Sequence, residues 1–341
     1  MTVAGGTGAE EGGARRLPAG RLLVPLLRLA RPSQWTKSAF VMVGPFYGLR
    51  DLTAKAGVMP RDVIVAALIA AAVFGLASSA CYVVNDVLDR EADRLHPRKR
   101  HRPIASGRIG VGTALAFAAG LIAMAAAGIF LLPAQAPSGV AHAVQPRLWV
   151  AGAVLIYALN VTAYSARIKH IVIADVMSLS LGFVLRVMAG CWAVGITPTV
   201  WLLNVTLFLA MFLSFGKRLG ERRTLAIAEA DEPGARAAAH RPVQGFYTDT
   251  LLQMAVVVTA VATLMGYAAY VQAQARADAK GFDPLWLTTL PATYCLLRAI
   301  VLLERGTHDD PTELAGKDRA FQIGALLFAA ITAAVMFGVR G

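Results

Sequence analysis

The chain has 341 residues, 57% of them hydrophobic and only 16% charged, with a mean hydropathy of +0.57. Soluble domains usually carry about a quarter charged residues, which excludes an ordinary globular protein, and continuous apolar runs without period-two alternation exclude a transmembrane β-barrel. The 33 Lys and Arg against 21 Asp and Glu leave a formal charge of +12, an excess that suits an anionic lipid surface, an anionic substrate or a nucleic acid alike.

Residues 1–20, rich in Gly and Ala, lack the compact apolar core of a cleaved signal peptide and read as a disordered start. The weakly amphipathic segment that follows, up to Arg31, reads as an interfacial helix. Nine apolar windows come next, at 35–50, 62–86, 111–132, 148–164, 171–195, 199–215, 249–272, 284–304 and 320–339. A helix that crosses hydrocarbon needs ~20 predominantly apolar residues, so the fold class is all-α: a polytopic membrane protein of nine transmembrane helices. Residues 21–341 form one catalytic domain in this reading.

An N-terminus in the cytoplasm places most Lys and Arg inside. Only Arg50, Lys55, Arg61, Arg147, Arg276, Lys280 and Arg340 fall on the opposite side, and Arg186 and Arg298 fall within spans. The positive-inside rule thus favours N-in, C-out. Pro133 to Pro146 reads as a solvent-side connection without chemistry. Cys81, Cys191 and Cys295 sit inside apolar runs, with no CxxC spacing and no His cluster nearby, and read as packing residues.

Polar residues of every type collect after spans two, four and six. Span two runs into Asn85-Asp86-Val87-Leu88-Asp89-Arg90-Glu91-Ala92-Asp93. If the helix continues, Asp86, Asp89 and Asp93 share a stripe at i, i+3 and i+7, one turn from Asn85. Carboxylates crowded at the end of an apolar helix are costly unless a cation sits among them. All-oxygen donors favour a hard ion, and Mg²⁺ typically takes one or two carboxylates while substrate phosphate and water complete its octahedron. Asn85, Asp86, Asp89 and Asp93 are therefore the candidate metal ligands. The cationic run His96 to Arg108 follows directly, and with the metal it forms the second half of a diphosphate clamp.

Asn85-Asp86-x-x-Asp89-x-x-x-Asp93 with Arg102-Pro103-x-x-Ser106-Gly107 downstream resembles the first signature of the UbiA superfamily of intramembrane prenyltransferases. Arg31-Pro32-x-x-Trp35-x-Lys37 resembles that family's Arg-Pro opening. The resemblance implies a UbiA-type helical bundle with a cytoplasmic active-site cap over the membrane domain. Ordinary members carry a second Asp-x-x-x-Asp after span six, where this chain has Phe215-Gly216-Lys217-Arg218-Leu219-Gly220-Glu221-Arg222-Arg223. Cations there neutralise phosphate oxygens directly. Tyr164-Ser165-Ala166-Arg167-Ile168-Lys169 is similar to the family's Tyr and Lys motif, with one residue more between the two.

Together these features are most similar to the decaprenyl-phosphate phosphoribosyltransferase branch. The resemblance implies Mg²⁺-dependent transfer of 5-phosphoribosyl from phosphoribosyl diphosphate (PRPP) to polyprenyl phosphate at the bacterial plasma membrane, for arabinan precursors of the cell wall. Asp86, Asp89 and Asp93 then act at the diphosphate, and Lys99 and Arg102 screen its oxygens. Lys37, Tyr164, Lys169, Lys217 and Arg218 are candidates for the 5-phosphate and the acceptor phosphate. Two alternatives stay open: an aromatic or quinone prenyltransferase using an isoprenoid diphosphate, and a secondary transporter, which would gather polar groups at the midplane. A nucleic-acid partner is not expected, because no reading module is present. The sequence leaves open the oligomeric state, a homo-oligomer included, the roles of Asp175 and Arg186, and whether 222–247 is a lid.

Overall fold

The computed structural model describes residues 23–95, 99–136, 145–231, 247–274, 283–305 and 317–337. Every regular element among them is helical. The order is α1 (Leu23–Ala30), a 3₁₀ segment (Pro32–Met42), α2 (Val43–Ala56), α3 (Pro60–Leu88), α4 (Arg90–Leu95), α5 (Val111–Phe130), α6 (Pro146–Ala166), α7 (Ala174–Ala193), α8 (Val200–Asp231), α9 (Asp249–Gln274), α10 (Thr289–Glu304) and α11 (Arg319–Phe337). One-turn 3₁₀ helices at Lys99–His101 and Ile168–His170 and a five-residue one at Pro284–Thr288 complete it.

Seven helices among the described residues are long and apolar enough to cross a membrane, from Pro60–Leu88 to Pro284–Glu304, and Arg319–Val335 is a shorter apolar helix. The chain is thus a multi-pass integral membrane protein. The first expected span, 35–50, is divided between the 3₁₀ segment and α2. The helix of the sixth window, 199–215, runs past it as α8 to Asp231, so the Phe215–Arg223 segment is helical. Residues 232–246 of the expected cap, the start at 1–20, His96 to Arg98 and 137–144 lie outside the described residues.

The chain divides into two compact units. The first holds the described residues up to Thr36 together with Gly75–Ala125. Its core joins Leu29 of α1, Ala80 and Val83 of α3, Ile104 and Ile109 of the α4–α5 connection, and Ala114, Ala118 and Leu121 of α5. Burying Ile104 and Ile109 anchors the second half of that connection, just after Arg102. The second unit holds Lys37–Phe74 and the residues from Ala126 on. One core in it gathers Val176 of α7, Phe212, Phe215 and Leu219 of α8, Tyr247 ahead of α9, Leu252 and Val256 of α9, and Leu296, Ala299 and Leu302 of α10. Gly190 of α7 lets the chain approach closely, since a Cβ there would collide with the Val41 carbonyl.

Candidate active site

In the first unit, Gly75, Ser79, Tyr82 and Asp86 recur along α3 at i, i+4, i+7 and i+11, which is one helix face. Each receives part of the Ala30–Trp35 segment. Gly75 is bare where the Trp35 ring lies, and a Cβ built there would stand 3.0 Å from it. The Trp35 indole donates to Ser79 Oγ at 3.0 Å, and that hydroxyl donates to the Ala30 carbonyl at 2.6 Å. Arg31 stacks 4.9 Å from the Tyr82 ring centroid and donates from Nη2 to Asp86 Oδ1 at 2.6 Å. Arg31 reaches this position with φ at +51°, a left-handed backbone that costs a non-glycine residue of order 1–3 kcal/mol. The clamp on Asp86 offsets that cost.

The i to i−4 backbone ladder continues past the end of α3, with Asp89 N donating to the Asn85 carbonyl at 2.9 Å and Asp93 N to the Asp89 carbonyl at 2.8 Å. The expected stripe therefore forms despite the turn at Asp89. Arg102 Nη1 bridges Asp86 Oδ1 at 2.9 Å and Asp93 Oδ2 at 2.7 Å. Both carboxylates are only 3% exposed, and buried carboxylates persist as charges only when paired and hydrogen-bonded. Asn85 Nδ2 donates to Asp89 Oδ2 at 3.0 Å, which leaves Asn85 Oδ1 buried without a hydrogen-bond donor.

Among the described residues no three His, Cys, Asp or Glu side chains converge closely enough to hold a metal ion by themselves. The donor set still fits Mg²⁺, which takes one or two carboxylates and fills its other positions from substrate and water. Asn85 supplies an oxygen that lacks a partner, and Asp89 supplies a carboxylate bonded to the same side chain.

Behind the acidic stripe, Arg90 and Arg94 both bind Glu91, at 2.5 Å and 3.1 Å, and the Arg90 hydrogen bond holds the Glu91 carboxyl below its ordinary value. Arg94 Nε also donates to the Ala105 carbonyl at 3.2 Å. The two arginines line a cavity of about 450 Å³ with Ile104, Gly107, Ile109 and the first turn of α5. Lys99 is exposed on its 3₁₀ turn, and its carbonyl accepts from Arg102 N at 2.9 Å.

The second unit holds the remaining candidates. Lys37 is half-buried on the Pro32–Met42 segment. Tyr164 lies in the last turn of α6, while Lys169 lies in the 3₁₀ turn after it, so the extra residue between them is taken up by the change of helix type. Lys217 is half-buried on α8, whereas Arg218 is turned inward. Arg218 Nε donates to Asp175 Oδ2 at 3.1 Å, Nη2 binds the same oxygen, and Nη1 donates to the Ser214 carbonyl at 2.9 Å. Tyr247 Oη donates to Asp175 Oδ1 at 2.6 Å and accepts from Ile173 N at 2.8 Å. Burial, reinforced by the Asp175 hydrogen bond, raises the Tyr247 phenol above its ordinary value, so it stays protonated as the donor. Asp175 is thus paired with Arg218. Arg186 instead donates to the Gly182 carbonyl at 2.8 Å and to Tyr157 Oη at 3.1 Å, within reach of the Phe74 and Phe183 rings. The sequence signalled neither Arg31 as the partner of Asp86 nor Tyr247 as the partner of Asp175.

An all-helical, multi-pass membrane protein with arginine-clamped carboxylates at the end of one apolar helix is the class that fold and site define. The UbiA prenyltransferase family pattern matches residues 42–326, and the chain belongs to that family. It is 33% identical over 320 residues to decaprenyl-phosphate phosphoribosyltransferase from Corynebacterium glutamicum, covering 94% of this chain and 89% of that protein. It is 31% identical over 327 residues to the protein of the same name from Mycobacterium tuberculosis, covering 94% and 97%. A UbiA homolog from Archaeoglobus fulgidus, solved bound to GPP and Mg2+, shares the fold, with a TM-score of 0.58 at 18% identity over 92% of this chain and 99% of that one.

Proposed function

We propose that this chain transfers 5-phosphoribosyl from PRPP to the phosphate of a polyprenyl phosphate, decaprenyl phosphate by analogy with the relatives' name, and releases diphosphate. The observation that carries this reading is the full-length similarity to relatives so named, joined to Lys217 and Arg218 where the wider family places a second acidic pair. The fold likeness to a UbiA homolog bound to GPP favours an isoprenoid diphosphate donor as the second reading. That donor lacks the separate 5-phosphate for which Lys217 would supply an additional cation.

Asp86, Asp89 and Asp93, with Asn85, would hold Mg²⁺, which when bound neutralises the diphosphate as it departs. Arg102 and Lys99 lie beside that cluster in sequence and add cationic charge for the leaving oxygens. The acceptor phosphate is already anionic and attacks the ribosyl carbon opposite the leaving group, so the protein supplies neither nucleophile nor strong base. Lys37, Tyr164, Lys169 and Lys217 bind the 5-phosphate and the acceptor phosphate. The 3₁₀ segment with α2, and α11, complete nine spans, with the N-terminus and the active site cytoplasmic in a bacterial plasma membrane. Residues 21–341 work as one catalytic domain, and the product serves arabinan synthesis for the cell wall.

Alanine at Asp86 or Asp89 tests the reading. In folded protein either change should lower transfer from PRPP by at least about 100-fold, as loss of a metal ligand does. Intact transfer with an unchanged Mg²⁺ requirement would overturn it.

A further inference from the structure

We propose that Arg218 is a positioning residue, fixed by Asp175 and Tyr247, and that Lys217 beside it is the group of this segment that meets the anionic substrate. The inference rests on the phosphoribosyl-donor reading and divides roles within it. Arg218 is 4% exposed and Asp175 is fully buried. All three guanidinium nitrogens already donate, two to Asp175 Oδ2 and one to the Ser214 carbonyl. Asp175 is equally committed: its Oδ1 accepts from Val176 N at 2.8 Å and from Tyr247 Oη at 2.6 Å. A phosphate could draw this guanidinium away only by breaking a buried ion pair in which every guanidinium nitrogen already donates, and an uncompensated buried carboxylate would be left behind.

The network also ties down its surroundings. Tyr247 Oη accepts from the backbone of Ile173, a residue held at φ +69°, so one cluster fixes the entry to α7, the middle of α8 and the residue just ahead of α9. Successive residues of an α-helix are rotated by about 100°, which points Lys217 away from the face that Arg218 buries. Lys217 is half-buried, and an ammonium carries three rotatable donors suited to phosphate oxygens. An arginine locked inward therefore sets the rotation of α8 and the direction of the lysine.

The test titrates the full-length protein in detergent with PRPP and Mg²⁺ by calorimetry, and follows steady-state transfer alongside. Lys217→Ala should weaken PRPP binding about tenfold or more, the value of a charge-assisted hydrogen bond. Arg218→Lys and Asp175→Asn should each raise the donor KM severalfold with kcat largely kept. The double variant should lose no more than the worse single one, because both changes break one pair. Tyr247→Phe, a milder change, keeps the test decisive if Asp175→Asn does not fold; it should shift KM in the same direction. Folded Tyr247→Phe and Arg218→Lys proteins that bind PRPP as wild type does would overturn the proposal. So would additive losses in the double variant, which mark Arg218 as a direct ligand, or unchanged binding in Lys217→Ala. Wild-type protein that binds no PRPP would instead overturn the donor reading beneath it.

Discussion

Arg31 Nη2 lies 2.6 Å from Asp86 Oδ1 across 55 positions of sequence, and this joins the segment ahead of the first hydrophobic stretch to the end of α3. The same carboxylate oxygen also takes Arg102 Nη1 at 2.9 Å. Two guanidinium groups from opposite sides of the sequence motif thus hold its first carboxylate. Arg31 precedes the residues 42–326 that match the family pattern, so the clamp is completed from outside that stretch.

Arg31→Ala should leave Asp86 with a single cationic partner and cost about 1–3 kcal/mol, the range for a buried acceptor stripped of a donor. Transfer should fall at least tenfold, and Arg31→Lys should lie between, since it keeps the charge and loses the planar stacking on Tyr82. Thermal unfolding in detergent and an initial-rate assay read the two effects. An Arg31→Ala protein as stable and as active as wild type would contradict the clamp.

Asn85 behaves differently. Its Oδ1 is buried without a donor while its Nδ2 donates to Asp89, so Asn85→Ala removes an unsatisfied atom together with one hydrogen bond, and the two changes should largely offset in stability. The Mg²⁺ concentration for half-maximal transfer should nevertheless rise about tenfold, as when a residue that holds or supports a metal is removed. A metal titration of activity checks this, and an unchanged midpoint would remove Asn85 from the ligand set.

Close helix packing gives a prediction independent of chemistry. Gly190→Ala would drive a methyl group into the Val41 carbonyl and should destabilise by about 1–3 kcal/mol, as overpacking does. Gly112→Ala, where a methyl meets nothing within 4 Å, should be neutral or gain up to about 1 kcal/mol within its helix. Unfolding temperatures of the two variants should therefore move apart.

The helices were legible wherever hydrophobicity is continuous: the expected windows 62–86 and 111–132 sit within a residue or two of Pro60–Leu88 and Val111–Phe130. The acidic stripe was legible because three carboxylates at helical spacing beside an apolar run are costly without a purpose. Contacts between distant parts of the chain were not. Arg31 and Asp86 are 55 residues apart, and Arg218 and Asp175 are 43 apart, so neither pairing leaves a local pattern. Lys217 and Arg218 looked equivalent in sequence, and only the burial of Asp175 separates them. The sixth apolar window ends at 215 because hydropathy falls in the charged stretch after it, yet the backbone there stays helical to Asp231.

The most direct test of the account is the mass of the lipid product. Purified protein with Mg²⁺, polyprenyl phosphate and PRPP should yield the lipid heavier by one 5-phosphoribosyl group, with free diphosphate released in equal amount, and EDTA should abolish both. Unmodified polyprenyl phosphate, together with prenylation of an aromatic acceptor when an isoprenoid diphosphate is supplied, would contradict it.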